Sequence, residues 1–281
     1  MQGVRLALAT ACNLSPWNFT WGMQLGLEGR VALVCGSTRG LGRAVAKALG
    51  QEGARLAVNG RQPDTTERAA RELQGETGQA VLAVPGDVGA AGEPERLVER
   101  VAHELGRVDI VFCNSGGPPA APFRDQPREA WQRALDVNLL SAIYLARAAV
   151  PLMRKRQWGR IICLASIAAK QPVPGLILST TARAGLLGFA KSLSDEVAPD
   201  GITVNVVCPG YIATERVVEL NRARAKREQR TSEEIAREVI RDIPVGRMGN
   251  PEEFAAAVAF LASERAGYIT GEVLHVTGGR Y

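Results

Sequence analysis

Three observations predict a doubly wound α/β domain, with a parallel sheet of about seven strands and helices on both faces. Short apolar runs alternate strictly with stretches of helical periodicity. The links between them are brief. The first apolar run leads straight into a glycine-rich loop that opens the first helical stretch. Runs that are apolar at consecutive positions suit strands buried on both faces, and strict alternation with short links calls for right-handed crossovers in one parallel sheet.

The elements follow in order. Residues 31–35 are apolar throughout, lie between Gly29 and Gly36, and read as the first strand. Residues 43–52 carry Val45, Leu49 and alanines at helical spacing. Residues 54–58 form the second strand, 68–77 a polar amphipathic helix, and 81–84 the third strand. A helix over 94–105 opens on Pro94, where the missing N–H costs little. The fourth strand is 108–113, and 128–156 is a long helical stretch that Pro151 should bend or end. A strand over 161–164, a helix over 180–198, a strand over 203–207, a helix over 251–261 and a strand over 273–276 complete the alternation. No Pro/Ser-rich linker or internal repeat interrupts it, so residues 23–281 are expected to form one domain. Within it, 214–246 is an excursion rich in Arg and Glu.

Composition narrows the function. A chain of 281 residues, 46% hydrophobic and 22% charged, has the make-up of a soluble globular protein. Its net charge is +5, but much of the excess sits in residues 222–230 rather than on a broad basic face, which argues against nucleic acid as a partner. That arginine run reads either as a solvated helix face or as a docking surface for an acidic partner, such as an acyl carrier protein or a coenzyme-A thioester. Cys12, Cys35, Cys113, Cys163 and Cys208 form no CxxC pair, which fits buried free thiols in a reducing cytoplasm. His103 and His275 have no metal-ligand spacing, so no metal is expected. No apolar run looks long enough to span a bilayer. Residues 1–22 lack a clear period, and Arg5 followed by a short apolar run only faintly resembles a signal peptide; Met23 is read as the effective start, with 1–22 an extension that is disordered or not native.

The loop after the first strand reads Gly36-Ser37-Thr38-Arg39-Gly40-Leu41-Gly42. Glycines there permit a tight turn and let a pyrophosphate approach the backbone at a helix N-terminus. The end of the second strand should choose the cofactor. An acidic residue would bond a ribose 2′-hydroxyl, but this chain has Asn59-Gly60-Arg61, and Arg39 adds a second cation nearby. Two guanidiniums and no carboxylate favour NADP(H) over NAD(H).

Further motifs follow in sequence: Gly86-Asp87-Val88, Cys113-Asn114-Ser115-Gly116-Gly117, Asp136-Val137-Asn138, Ser166, Cys208-Pro209-Gly210-Tyr211-Ile212-Ala213-Thr214, Tyr268-Ile269-Thr270-Gly271 and Val276-Thr277-Gly278-Gly279. In this order and spacing the chain resembles the short-chain dehydrogenase/reductase family from about residue 27 to 280, closest to the branch containing 3-oxoacyl-(acyl-carrier-protein) reductases. The resemblance implies a single Rossmann-fold domain and roles for particular residues. Asp87 would hold the adenine and Val88 pack on it. Asn114, with Ser115 and Gly116, would shape the loop beneath the cofactor ribose. Pro209, Gly210 and Ile212 would lead to Thr214 on the nicotinamide carboxamide. Asn138 and Ser166 would belong to the catalytic set, 214–246 would be a mobile substrate lid, and a homotetramer would be the working unit.

One departure stands out. The family has Tyr-x-x-x-Lys about a dozen residues after its serine; thirteen residues on from Ser166 stands Ser179, and four further on stands Arg183. A tyrosine phenol tuned by a nearby ammonium can protonate the alkoxide left by carbonyl reduction. A serine hydroxyl is a far weaker acid, and an arginine stays protonated. Three readings follow. In the first, the protein is an active reductase of a 3-oxoacyl thioester or related ketone: Ser166 and Ser179 bond the carbonyl, Arg183 sits on the nicotinamide ribose and stabilises the oxyanion, and water or Tyr211 gives the proton. In the second, it reduces an enone or imine, where a strong acid matters less. In the third, it binds NADP(H) without turnover, as a sensor or partner subunit.

Overall fold

The computed structural model describes residues 24–280, so the expected extension over 1–22 and Cys12 lie outside the described residues. Among the described residues, seven strands form one parallel sheet in the order β3-β2-β1-β4-β5-β6-β7. Strands β1 (Val31–Val34), β2 (Arg55–Val58) and β3 (Val81–Ala83) step outward to one edge. Strands β4 (Ile110–Cys113), β5 (Gly159–Leu164), β6 (Ile202–Pro209) and β7 (Val273–Val276) step outward to the other. The order reverses between β1 and β4, so the loops leaving their C-terminal ends diverge and open a crevice.

The two-residue period of a strand explains the layering. Val31 and Leu33 enter the core shared with α3 (Glu93–Leu105), α5 (Ser141–Arg154) and α6 (Ile177–Val197). Ala32 and Val34 enter the core on the other face, with α1 (Gly40–Gln51), α2 (Pro63–Thr77) and α9 (Pro251–Ala262). Leu49, Leu73 and Phe254 are fully buried there, each stabilising the fold by about 1.5–3 kcal/mol.

Several boundaries differ from the sequence expectation. Helix α2 starts at Pro63, with Asp64 in its first turn, so the polar residues before 68 are helical start signals rather than loop. The long stretch from 128 is α4 (Arg128–Leu135), a π-helical turn over Asp136–Leu140, and α5, which closes at Arg154 soon after Pro151. These join into one run of 27 residues that is long and apolar enough to cross a membrane, contrary to the expectation that no such run exists. Its apolar side is spent on the sheet, where Leu145, Ala149 and Met153 are buried. Helix α6 begins at Ile177 rather than 180, which puts Ser179 on the helix.

The excursion from residue 214 is a pair of helices, α7 (Glu215–Glu228) and α8 (Ser232–Arg241). Its charges supply the reason. Arg224 donates to Glu228 at 2.7 Å and also to Glu238; Arg230 donates to Glu238 at 2.6 Å. Thr231 and Glu234 form a reciprocal capping box, and Ala225, Ile235, Val239 and Ile243 make a small core of their own. Three arginines of the basic run, Arg224, Arg227 and Arg230, are therefore paired within the helix pair.

Candidate active site

The crevice is floored by the loop between β1 and α1. Gly36 and Gly40 take φ of +58° and +57°, a region that favours glycine. A Cβ on Gly42 would lie 2.2 Å from the Gly36 carbonyl oxygen, so the helix start packs on the loop's own backbone. Ser37 is buried and donates to Val34 O at 2.7 Å. Asn114, just past β4, donates through Nδ2 to Cys35 O at 3.1 Å and Gly36 O at 3.2 Å, holding the loop from the far side. No side chain caps α1, and the space over Gly40 and Gly116 is open. An uncapped helix start beside an open glycine backbone fits the pyrophosphate of a dinucleotide.

Two of the expected cofactor residues have other work. Asn59 is 2% exposed: its Nδ2 donates to Val84 O at 2.9 Å and Gly86 O at 3.0 Å, and its Oδ1 accepts from Gly36 N at 3.3 Å. It is a strut tying the ends of three strands, and no polar group is left over for a ribose. Arg39 pairs with Glu215 of α7 at 2.5 Å, both exposed, so the glycine-rich loop is tied to α7. Asp87 accepts from Gly89 N at 3.0 Å and Arg133 Nη2 at 2.5 Å. Burial pushes its carboxyl up, but these hydrogen bonds, with the charges of Arg133 and Arg61, prevail and hold it below the usual range. Arg61 is exposed at the end of β2.

On the other side of the crevice the chemistry converges. Ser166 follows β5 in extended conformation, and its Oγ accepts from Ala168 N at 3.2 Å. Its backbone N–H reaches the Cys208 sulfur at the end of β6, and Cys208 in turn lies close enough to Arg183 to feel its charge. Ser179 and Arg183 stand one turn apart on the same face of α6. They are 5% and 7% exposed, and Arg183 Nη1 donates to Ser179 Oγ at 2.5 Å. Asn138 lies in the π turn, a feature common at functional sites, and donates to Ala134 O at 3.2 Å. Asn138 Oδ1, Thr180 Oγ1 and Arg183 Nε are buried without a partner among the described residues. Each such atom costs about 1–3 kcal/mol, a cost sustained where a ligand completes the bonding.

Burial, followed by the nearby charge of Arg216, pushes the Arg183 guanidinium down to about 10. It stays charged at neutral pH. No carboxylate is paired with it among the described residues.

The chain as a whole matches known proteins along this frame. A family model described as Enoyl-(Acyl carrier protein) reductase covers residues 36–280. The chain is 38% identical over 255 residues to 3-oxoacyl-[acyl-carrier-protein] reductase FabG of Haemophilus influenzae, covering 91% of this chain and 99% of that protein. It is 38% identical over 256 residues to dehydrogenase/reductase SDR family member 4 of Sus scrofa, covering 90% of this chain and 88% of that protein. The chain belongs to the short-chain dehydrogenase/reductase family. L-sorbose reductase from Gluconobacter frateurii, solved with NADPH and L-sorbose, superposes with a TM-score of 0.86 at 35% identity, over 92% of this chain and 98% of that one.

In this short-chain dehydrogenase/reductase the segment after β6 leads into the helix pair α7–α8. Gly210 donates its N–H to Val276 O at 2.9 Å, and a Cβ there would meet Thr277 Cα at 2.9 Å. Ile212 is 4% exposed and bridges to Gly249, which places it in the scaffold. Thr214 caps the start of α7 by position, its Oγ1 donating to Ile212 O at 3.3 Å. The Tyr211 ring lies under the Arg280 guanidinium, 4.8 Å from its centroid, and packs with Met248 against the small core of α7 and α8. That packing gives the Tyr211 ring a structural task.

Sequence reasoning missed Arg216. From the second position of α7 it donates to Pro118 O at 2.7 Å and lies against Gly117, whose Cβ would be 3.0 Å from Nη2. It joins α7 to the loop after β4, and its charge helps push the Arg183 guanidinium down. The only sequence signal was its place two residues after Thr214, submerged in an arginine-rich stretch.

Proposed function

We propose that this protein is an NADP(H)-dependent oxidoreductase that reduces the carbonyl of a 3-oxoacyl thioester or related ketone, with a Ser179–Arg183 pair where the family resemblance leads one to expect tyrosine and lysine. The observation that carries the reading is the buried guanidinium of Arg183 donating to Ser179 Oγ at 2.5 Å. Nicotinamide, when bound, supplies the hydride. Ser179 accepts from Arg183, so its own proton is free for a substrate oxygen, and Ser166, which accepts from Ala168 N–H, is free in the same way. A full charge about 5 Å behind a developing oxyanion is worth about 3 kcal/mol at an effective dielectric of about 20. That is the size of effect measured for single oxyanion donors. Arg183 stays charged throughout, Ser179 relays a proton, and water is its final source.

Several features support NADP(H). Residues 59–61 at the end of β2 hold no carboxylate, Arg61 is exposed there, and the Gluconobacter relative was solved with NADPH. A cytoplasmic homotetramer is the working unit that the family resemblance implies.

The second reading, reduction of a conjugated enone, draws on the same pair. Hydride addition to an enone leaves an enolate, which a hydroxyl and a guanidinium stabilise without a phenol-strength acid. The enoyl-reductase description of the matching family model favours keeping it.

Loss of NADPH absorbance with acetoacetyl thioester and a panel of ketones and enones tests both. Turnover that falls about a hundredfold in Ser179→Ala, with NADPH affinity kept, supports the proposal. Tight NADPH binding without turnover on any member would return the protein to the non-catalytic reading.

A further inference from the structure

Three of the buried cysteines stand side by side. Cys113 of β4 is the direct ladder partner of Cys163 on β5. Cys35 donates its N–H to Phe112 O at 3.1 Å, the next step after the Val34–Phe112 pair, which sets it beside Cys113 on the other flank. All three side chains enter the core shared with α3, α5 and α6, so they share one face of the sheet. The Cys113 and Cys163 sulfurs are in hydrogen-bond contact. Cys163 is fully buried, and Cys113 is 5% exposed at the end of β4 that opens on the crevice.

Two chemistries suit a facing thiol pair, and the register separates them. A disulfide needs Cβ atoms about 3.8 Å apart, whereas neighbouring strands lie about 4.8 Å apart. The bonded Cys163 sulfur, with burial, also holds the Cys113 thiol well above its usual range, so little thiolate is present to attack. A soft cation held in line by two thiolates spans about 4.6 Å, twice a metal–thiolate bond of about 2.3 Å. The strand spacing already provides that span. No group of three metal-ligating side chains occurs among the described residues, so a four-coordinate ion such as zinc is not served. Charge narrows the ion further. Two thiolates neutralise a divalent cation, whereas a monovalent one leaves a net charge in an apolar core.

We propose that Cys113 and Cys163 form a two-coordinate site for a soft divalent cation of the mercuric type, and that its occupancy weakens cofactor binding. Binding replaces two S–H bonds by two metal–sulfur bonds, releases both protons and moves no electrons. The ion wedges apart two sulfurs that now touch. Asn114 follows Cys113 directly and braces the glycine-rich loop through Cys35 O and Gly36 O, so the displacement reaches the loop that would seat the pyrophosphate. The metal site stands without the NADP(H) reading; the effect on the cofactor rests on it.

The test titrates full-length protein with mercuric chloride against a competing thiol, follows sulfur-to-metal charge-transfer absorbance, and measures NADPH affinity by fluorescence before and after. One tight ion should bind per chain. Cys113→Ala and Cys163→Ala should each weaken it at least about tenfold, while Cys12→Ala and Cys208→Ala leave it unchanged. Cys163→Ser keeps the size and loses the soft donor, and repeats the test should alanine unsettle the core. NADPH affinity should fall about tenfold in the metal-bound wild type and recover when excess dithiol strips the ion. A tight site that survives both Cys113→Ala and Cys163→Ala would overturn the proposal. So would one lost in only one of them, since a single thiol would then hold the ion. An ion bound through both cysteines that leaves NADPH affinity unchanged would overturn the coupling to the cofactor. Metal-free protein that binds no NADPH would sink the NADP(H) reading, while the titration still decides the metal site.

Discussion

Arg183→Met should make the protein more stable and the enzyme much slower. The guanidinium is buried and pushed down to about 10 from 12.5. That depression corresponds to about 3 kcal/mol by which folding disfavours the charged form. The sign follows from linkage. A base whose folded value lies below its unfolded one carries this penalty in full below about 10, and stability recovers only as pH rises from there toward 12.5. At neutral pH the whole penalty is present. Methionine fills a similar volume without charge, while stranding the Ser179 hydroxyl costs about 1–2 kcal/mol. The net is a gain of about 1–2 kcal/mol, or a Tm higher by about 2–8 °C for a domain of this size. Loss of the charge behind Ser179 should lower kcat about a hundredfold. Scanning calorimetry and steady-state kinetics on the same preparation read both. A Tm that falls by several degrees would refute the reasoning, because the guanidinium would then be holding the fold together rather than waiting for a ligand.

Other outcomes follow from the same contacts. Arg61→Ala should weaken NADPH about tenfold and leave NADH unchanged in a fluorescence titration; equal losses would take Arg61 off the 2′-phosphate. Glu215→Gln releases Arg39 from its 2.5 Å pair, so NADPH should bind severalfold tighter at low salt and the gain should fade near 1 M salt. The carboxyls of Glu238, held by Arg224 and Arg230, and of Glu253, held by Arg247 and the Asn250 N–H, lie at about 2 against 4.5 for a free group. Their contribution is present above about 4.5 and lost as pH falls toward 2; Tm should hold down to that point and then drop, less steeply in Glu238→Gln. Finally, the Arg183 guanidinium stays charged across the neutral range and water is the proposed proton source, so a proton-limited kcat should be flat between about pH 5 and 9 with a solvent isotope effect, and a steady climb as pH falls would point to a titrating acid or hydronium as the donor.

The strands were legible because burial on both faces writes itself as consecutive apolar residues, as in Val31–Val34. Helix starts were less so. Pro63 and Ile177 begin their helices among residues that also read as loop, and the second of these decided whether Ser179 and Arg183 share a helix face. Motif register found Ser166, Ser179 and Arg183 but could not assign tasks. Asn59 is written at the cofactor corner and yet spends every polar group on neighbouring backbone. The charges of residues 214–246 gave no pairing in one dimension because partners such as Arg230 and Glu238 meet only once two helices fold together. Arg216 was out of reach for the same reason: its contact at Pro118 lies 98 residues away in the chain.

A tyrosine–lysine site works by matching an acid's pKa to the pH, so its rate depends on a group that gains and loses a proton. A serine bonded to a buried guanidinium has no such group. In the proposed reading its contribution is a fixed field: a charge that stays on, placed behind a neutral donor and buried on α6. Such a site suits reactions in which negative charge develops on oxygen and the proton arrives late, from solvent. What the proposed Ser179–Arg183 pair loses in acid strength it recovers in a charge that stays on across the neutral range.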